Sequence, residues 1–171
     1  MLTGFEPFAH FSINPSWHAV SAAAERFGDR VAARLLPVDY HPARERLLAH
    51  VNELKPIAVL CTGLAAGDTF RLETIARKPT QFDSLPGEAL HTGDWPWPLT
   101  EAALRSAGVA VRYSADAGRY VCESTYWTLL NDSRVTGPKG FLHVPAESAE
   151  YPIARTTAAV IAAIEAFLDK Q

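Results

Sequence analysis

Apolar runs that stop at Gly or Pro alternate along this chain with stretches of helical spacing, the pattern of a layered α/β domain. Met1–Thr3 reads as the end of a short first strand, running into the turn GFEPF. Asn14 caps a helix and Pro15 suits its first position, so a helix is predicted over Ser16–Arg26. Val31–Pro37 reads as a second strand. Leu47, Leu48, Val51 and Leu54 then share one face of a helix over Ala43–Leu54, closed by Lys55-Pro56. Ile57–Thr62 is a continuous apolar run bounded by Pro and Gly, as expected of a strand covered on both faces. From Gly63 to Pro98 the pattern breaks down into Gly, Pro, Thr and Asp, with one short strand around Arg71–Ala76. Excursions of that length are usually functional loops or disorder. Helices are predicted over Leu99–Ala107, Val121–Leu130 and Pro152–Leu168, and strands over Val109–Ser114 and Gly140–Val144. In the last helix Val160, Ile164, Phe167 and Leu168 form one stripe. No internal repeat, low-complexity tract or linker interrupts the order, so 1–171 reads as a single domain.

Composition narrows the class. Hydrophobic residues make up 48% and charged residues 20% of the 171, ordinary for a globular enzyme with a sizeable core. A net charge of −3 without any basic stripe argues against nucleic acid and against an anionic membrane as partners. No apolar stretch approaches the roughly 20 residues of a membrane-spanning helix, and MLTGFEPF lacks the basic flank of a signal peptide. Only Cys61 and Cys122 occur, in unlike settings, which argues against a disulfide framework and for the reducing cytoplasm.

Both cysteines, one histidine and one carboxylate bear on the chemistry. Cys61 sits inside IAVLCT and behaves as a small hydrophobe. Cys122 follows the turn Asp116–Val121 at the predicted start of a helix, where the dipole and free N–H groups favour a thiolate and can hold an oxyanion. On pattern alone it is either a nucleophile or a packing residue. A nucleophilic cysteine needs a base and a group to orient that base. His10, His18, His41, His50 and His91 fall in loops or at exposed-looking helical positions, whereas His143 ends the strand GFLH before Val144-Pro145. Functional groups in open sheets collect at strand carboxyl ends, and Cys122 also follows a strand, so the two are expected to meet at one edge. A core histidine is the other reading of His143. Glu73 is the leading carboxylate, with Asp68, Asp83 and Asp94 as rivals. Neither a zinc spacing, a P-loop nor a dinucleotide fingerprint is present.

Four stretches together resemble the pyroglutamyl peptidase I (pyrrolidone carboxyl peptidase) family over nearly the whole chain. They are TGFEPF with NPSW (Asn14–Trp17), GLAAGDTFRLETIA (Gly63–Ala76), YSADAGRYVCES (Tyr113–Ser124) and GFLHVP (Gly140–Pro145). The resemblance implies a three-layer α/β/α sandwich around a twisted, mostly parallel mixed sheet, with no cofactor and no metal. It implies a cysteine exopeptidase that removes N-terminal pyroglutamate from peptides through a thioester, with Glu73, Cys122 and His143 as the triad. Phe5 and Phe8 match the aromatic residues that hold the pyrrolidone ring, and Asn14 and Leu85 fall in matching stretches as substrate-binding positions. A flat, uncharged lactam suits apolar walls with a few placed hydrogen bonds; core packing is the alternative for both phenylalanines.

The chain also departs from the family pattern. The glutamate motif is one residue short between Gly63 and Glu73, Thr74 stands in place of Arg, and Arg77-Lys78 replace an apolar residue and Asn. Asp83-Ser84-Leu85-Pro86 lacks the arginine thought to assist the oxyanion, which leaves Arg71 or Arg77 to substitute. Glu123 replaces Asn and brings a negative charge near the thiolate, which raises its pKa. The chain is shorter than most relatives, and assembly into a homo-oligomer is left open. Two rival readings follow: a degenerate homologue that binds pyroglutamyl N-termini with little turnover, and a nucleoside phosphorylase of similar layered fold.

Overall fold

In this computed structural model, residues 1–9 and 11–170 are described, and His10 lies outside them. Eight strands and five helices alternate: β1 Leu2–Phe5, α1 Pro15–Phe27, β2 Ala33–Leu36, α2 Tyr40–Leu54, β3 Val59–Ala65, β4 Phe70–Glu73, β5 Ile75–Arg77, β6 Leu90–Thr92, α3 Trp97–Ser106, β7 Val111–Ser114, α4 Val121–Leu130, β8 Lys139–Pro145 and α5 Ile153–Leu168. Six strands form one sheet in the order β2-β1-β3-β8-β4-β7. The pairings are parallel except β4–β8, which is antiparallel. The sheet is thus mixed and mostly parallel, with β4 and β7 reversed.

Strand alternation sorts the apolar side chains onto two faces. Leu2, Leu60, Leu72, Leu142 and Val144 pack under α1, α3 and α5 with Ala19, Val20, Leu104, Val160 and Ile164. Phe5, Leu36, Val59, Cys61 and Phe141 pack under α2 and α4 with Leu47, Val51, Val121 and Trp127. Three layers result. The period-2 count also places Gly63, Glu73 and His143 on the α2/α4 face, because each is an even number of residues from Cys61, or the neighbour of a residue on the opposite face.

The expected elements form, with three instructive differences. First, α2 begins at Tyr40 and α3 at Trp97. Pro42 and Pro98 fall within the first turn, where a missing N–H is no loss. Second, β3 runs on through Gly63 to Ala65, paired with β8 along its whole length. Third, the Gly63–Pro98 stretch is more ordered than its composition implies. The single strand expected at Arg71–Ala76 is divided at Thr74 into β4, in the main sheet, and β5, which pairs antiparallel with β6 as a separate hairpin. Strands of three residues carry too few alternations to be read from sequence.

The turn between β1 and α1 is held by Asn14. Its Oδ1 accepts from the Ser16 N–H and Oγ–H, while its Nδ2 donates to the Glu6 carbonyl at 3.0 Å. Ser16 Oγ in turn accepts the Phe5 N–H. Glycine is required beside this joint: a Cβ on Gly4 would lie 2.6 Å from Trp17 Cα and 2.7 Å from its N. Gly4→Ala must therefore push α1 off the sheet. It is expected to lower unfolding stability by about 1–3 kcal/mol in urea titration.

Candidate active site

Two strands and a helix N-terminus converge on the α4 side of the sheet. In the β3–β8 register Gly63 is the partner of His143, and in the β8–β4 register His143 faces Arg71 while Glu73 faces Phe141. Glu73 and His143 are therefore diagonal neighbours on one face, a separation that a glutamate can bridge. It does so. His143 Nδ1 lies 2.8 Å from Glu73 Oε1, with Glu73 fully buried and His143 only 4% exposed. A carboxylate can only accept, so the bond places the proton on Nδ1 and leaves Nε2 as the free basic nitrogen. Glu73 Oε2 has no partner among the described residues. The imidazole is thus the one side chain that satisfies this carboxylate.

Cys122 is the second residue of α4, in its unsatisfied first turn. Its thiol rests over β3: a Cβ on Gly63 would stand 2.8 Å from Cys122 Sγ and 2.9 Å from Phe141 Cζ. Since Gly63 and His143 are lateral partners, this seats the thiol beside the histidine. Cys122 and His143 line one cleft of about 330 Å³ with Phe8, Leu64, Ala65 and Arg71, closed by the Asp116–Gly118 loop and Tyr120.

The meeting happens, but not for the reason expected from sequence. β7 runs opposite to β8, so Ser114 and His143 are not at a common set of strand carboxyl ends. The Ala115–Tyr120 connection carries the chain back to the site. It is tied down by Tyr40 Oη donating to the Arg119 carbonyl and by Asp116 accepting the Gly118 N–H.

Electrostatics also differ from expectation. Burial pushes the Cys122 thiol up to about 12, with the Glu73 carboxylate and then Cys61 adding to the rise, and its own backbone N–H opposing it. Desolvation outweighs the helix N-terminus, which favours the neutral thiol although Cys122 is only half-buried. Glu123 is not the charge responsible. Its carboxylate is turned to Arg77, accepting the backbone N–H at 2.7 Å with Nη1 at 3.9 Å. Burial raises the Glu123 pKa, and Arg77 offsets part of that rise.

The other candidates are scattered. Phe8 lines the cleft, whereas Phe5 is buried in the core beneath α2 and Asn14 is consumed by the β1–α1 turn. Leu85 packs on the same core, and its carbonyl accepts from Lys78 Nζ. Of the two arginines considered as replacements, Arg71 lines the cleft and donates to the Ala66 carbonyl, while Arg77 donates to the Ala115 carbonyl outside it. His18 and His41 are exposed, and His50 and His91 are half-buried away from the cleft. Among the described residues no group of three His, Cys, Asp or Glu side chains could hold a metal, and no helix is long and apolar enough to cross a membrane.

Sequence reasoning missed two contributors. Gly63 looks like a strand stop but is the space in which the thiol sits. Tyr126 donates its hydroxyl to the Glu73 carbonyl at 2.9 Å. Its spacing of four residues from Cys122, on one helix face, was the available signal.

Glu73→Gln removes the negative charge that helps hold the Cys122 pKa up, so that pKa falls and the thiolate fraction at pH 8 rises. Since each unit of fall speeds thiolate chemistry about tenfold, the variant is expected to be alkylated by iodoacetamide faster than wild type, read by mass spectrometry of the Cys122 peptide. An unchanged or slower rate would remove Glu73 from the thiol's electrostatics.

Known proteins resemble this chain in sequence and in fold. Residues 1–81 match the family model described as "Pyroglutamyl peptidase". The chain is 33% identical over 169 residues to a pyrrolidone-carboxylate peptidase of Clavibacter michiganensis subsp. michiganensis, covering 88% of this chain and 79% of that protein. A mutant pyrrolidone carboxyl peptidase from the hyperthermophile Pyrococcus furiosus superposes with a TM-score of 0.83 at 25% identity, covering 99% of this chain and 97% of the other. Pyroglutamyl peptidase I of Bacillus amyloliquefaciens, at 23% identity and a TM-score of 0.79 over 96% and 92% of the chains, shares the fold. The mixed sheet, the five helices and these matches place the chain in the pyroglutamyl peptidase (pyrrolidone-carboxylate peptidase) family.

Proposed function

We propose that this chain is a cysteine peptidase releasing the N-terminal pyroglutamyl group of peptides, with Cys122 as nucleophile, His143 as general acid–base and Glu73 as the orienting carboxylate. The observation that carries the assignment is the buried His143–Glu73 pair at 2.8 Å, lining one cleft with Cys122 at the start of α4. Family membership sets the phosphorylase reading aside. Residues 1–171 act as one catalytic unit, and two free cysteines suit a reducing compartment.

Because the resting thiol is neutral, the proton moves as attack begins. His143 Nε2 takes the Cys122 proton while Nδ1–H stays on Glu73, which stabilises the imidazolium. The sulfur adds to the pyroglutamyl carbonyl, and the first-turn N–H groups of α4 stabilise the oxyanion. His143 then gives its proton to the departing amine, leaving a thioester. A water molecule, deprotonated by the same nitrogen, hydrolyses the thioester and restores the thiol. Phe8, Leu64, Ala65 and Ala117 supply apolar walls to the flat lactam. Asn14 acts at one remove, holding the turn that carries Phe8; Phe5 supports it from the core, and Leu85 supports the 80–86 segment.

Arg71 takes the part of the arginine missing from Asp83–Pro86. It faces His143 across the β4–β8 joint and brings the positive side chain nearest in register to the reaction. Arg71→Ala is expected to lower kcat by about 10²-fold, with a smaller effect on KM. Equal kcat in wild type and variant would assign the oxyanion to backbone donors alone.

The direct test is release of a fluorescent amine from a pyroglutamyl amide, beside a proline amide control. Turnover of the pyroglutamyl compound alone, abolished in a folded Cys122→Ala variant, is the expected result. Tight pyroglutamyl binding without turnover, from folded protein with reduced Cys122, would make this chain a binder instead.

A further inference from the structure

A second cleft, of about 350 Å³, shares Tyr120 with the cleft that holds the nucleophile. It is lined by Arg77, Lys78, Pro79, Thr80, Gln81, Arg119, Tyr120 and Glu123. Tyr120 belongs to both clefts, and Glu123 follows Cys122 directly, so the second cleft starts within about 3.8 Å of backbone from the reactive residue. An acyl group seated among Phe8, Leu64 and Ala117 fills one side of Cys122. Tyr120, common to both clefts, offers the chain leaving the carbonyl a path into the second.

Charge distinguishes this cleft from the first. Arg77, Lys78 and Arg119 contribute three cations against one carboxylate, Glu123, which is already engaged by Arg77. Lys78 Nζ donates to the Leu85 and Asp83 carbonyls and lies 5.9 Å over the Trp127 ring, contacts that leave its charge in place. Among the described residues neither Lys78 nor Arg119 forms an ion pair. Asp116 lines the neighbouring cleft, accepts the Gly118 N–H and lies close enough to Glu123 to raise its pKa, so the cations outnumber the carboxylates within reach three to two. The wall is held in place as well. Tyr120 stacks edge-on against Tyr40 at 5.4 Å, and Tyr40 Oη bonds the Arg119 carbonyl. A rigid cleft with surplus positive charge, one residue from the nucleophile, is built to receive an anion on the leaving group.

Resting on the peptidase reading above, we propose that this cleft is the subsite for the residue that follows pyroglutamate, and that it selects a carboxylate there. The carboxylate has two sources: an Asp or Glu side chain at that position, or the free C-terminus of a pyroglutamyl dipeptide. Arg119 and Lys78 are the selecting residues. Both lie outside the Cys122–His143–Glu73 group, so selection acts on the leaving residue and not on the acyl group.

The test is kcat/KM for pyroglutamyl-Asp-amide, -Ala-amide and -Lys-amide, with pyroglutamyl-Ala free acid as a fourth substrate, for wild type and Arg119→Glu. The wild-type Asp-to-Lys ratio is expected to be about tenfold at low salt. It should fall towards one in about 0.5 M salt, as exposed charges are screened. Arg119→Glu is expected to bring the ratio to one or below; a mere folding defect scales all substrates alike and leaves the ratio unchanged. A preference for the free acid over the Ala-amide would identify the C-terminal carboxylate as a source, and a preference confined to the Asp compound would identify the side chain. Equal hydrolysis of all four substrates would overturn the subsite and leave the peptidase standing. Hydrolysis of none, Ala-amide included, would overturn both.

Discussion

A buried carboxylate demands a donor, and among the described residues Glu73 has one side chain to supply it, the imidazole of His143. Leaving such a group unpaired in a fully buried position would cost several kcal/mol, so the joint between β4 and β8 and the histidine's orientation are mutually dependent. The antiparallel register sets the diagonal that lets the two side chains meet. Tyr126 braces the same glutamate from the backbone side. This ties α4, and with it Cys122, to the pair. The rest of the site hangs on that one contact.

Around it, close packing decides the chemistry as much as charge does. Gly63 is kept without a side chain because the Cys122 sulfur and the Phe141 ring occupy the space. The thiol is thereby held over the sheet, half-buried at the wall of the cleft. Burial raises its pKa against the pull of the helix N-terminus and favours the neutral form. In the proposed mechanism proton transfer is coupled to attack, and the tautomer that Glu73 imposes on His143 is what makes that coupling available.

Charge is divided by Tyr120. On the Cys122 side the walls are chiefly apolar, with Arg71 opposite His143; on the other side Arg77, Lys78 and Arg119 gather around a single engaged carboxylate. The substitutions that look like losses against the family pattern, Arg77-Lys78 and Glu123, fall together in this second cleft. They re-charge the neighbourhood of the site while leaving the reactive group intact.

Much of this was legible in the residues themselves. Alternation, helix caps and prolines defined the α/β class and most elements, and the motifs around Glu73, Cys122 and His143 singled out three residues which the fold brings to one face. Local patterns report local structure well, because period and capping are properties of neighbours. Beyond the strand expected around Arg71–Ala76, the Gly63–Pro98 stretch carries little strand signal, because strands as short as Ile75–Arg77 and Leu90–Thr92 owe their existence to pairing with each other. Phe5 and Asn14 lie in the right motif, yet one is core and the other a cap; only packing separates such neighbours from Phe8. Strand direction was beyond reach too, since the reversal of β4 and β7 depends on pairings between residues about 40 to 70 positions apart. The sequence determined which groups could react. The tertiary structure decided which of them touch, how far the thiol is desolvated, and which side of Tyr120 each charge occupies, because these follow from contacts between distant segments.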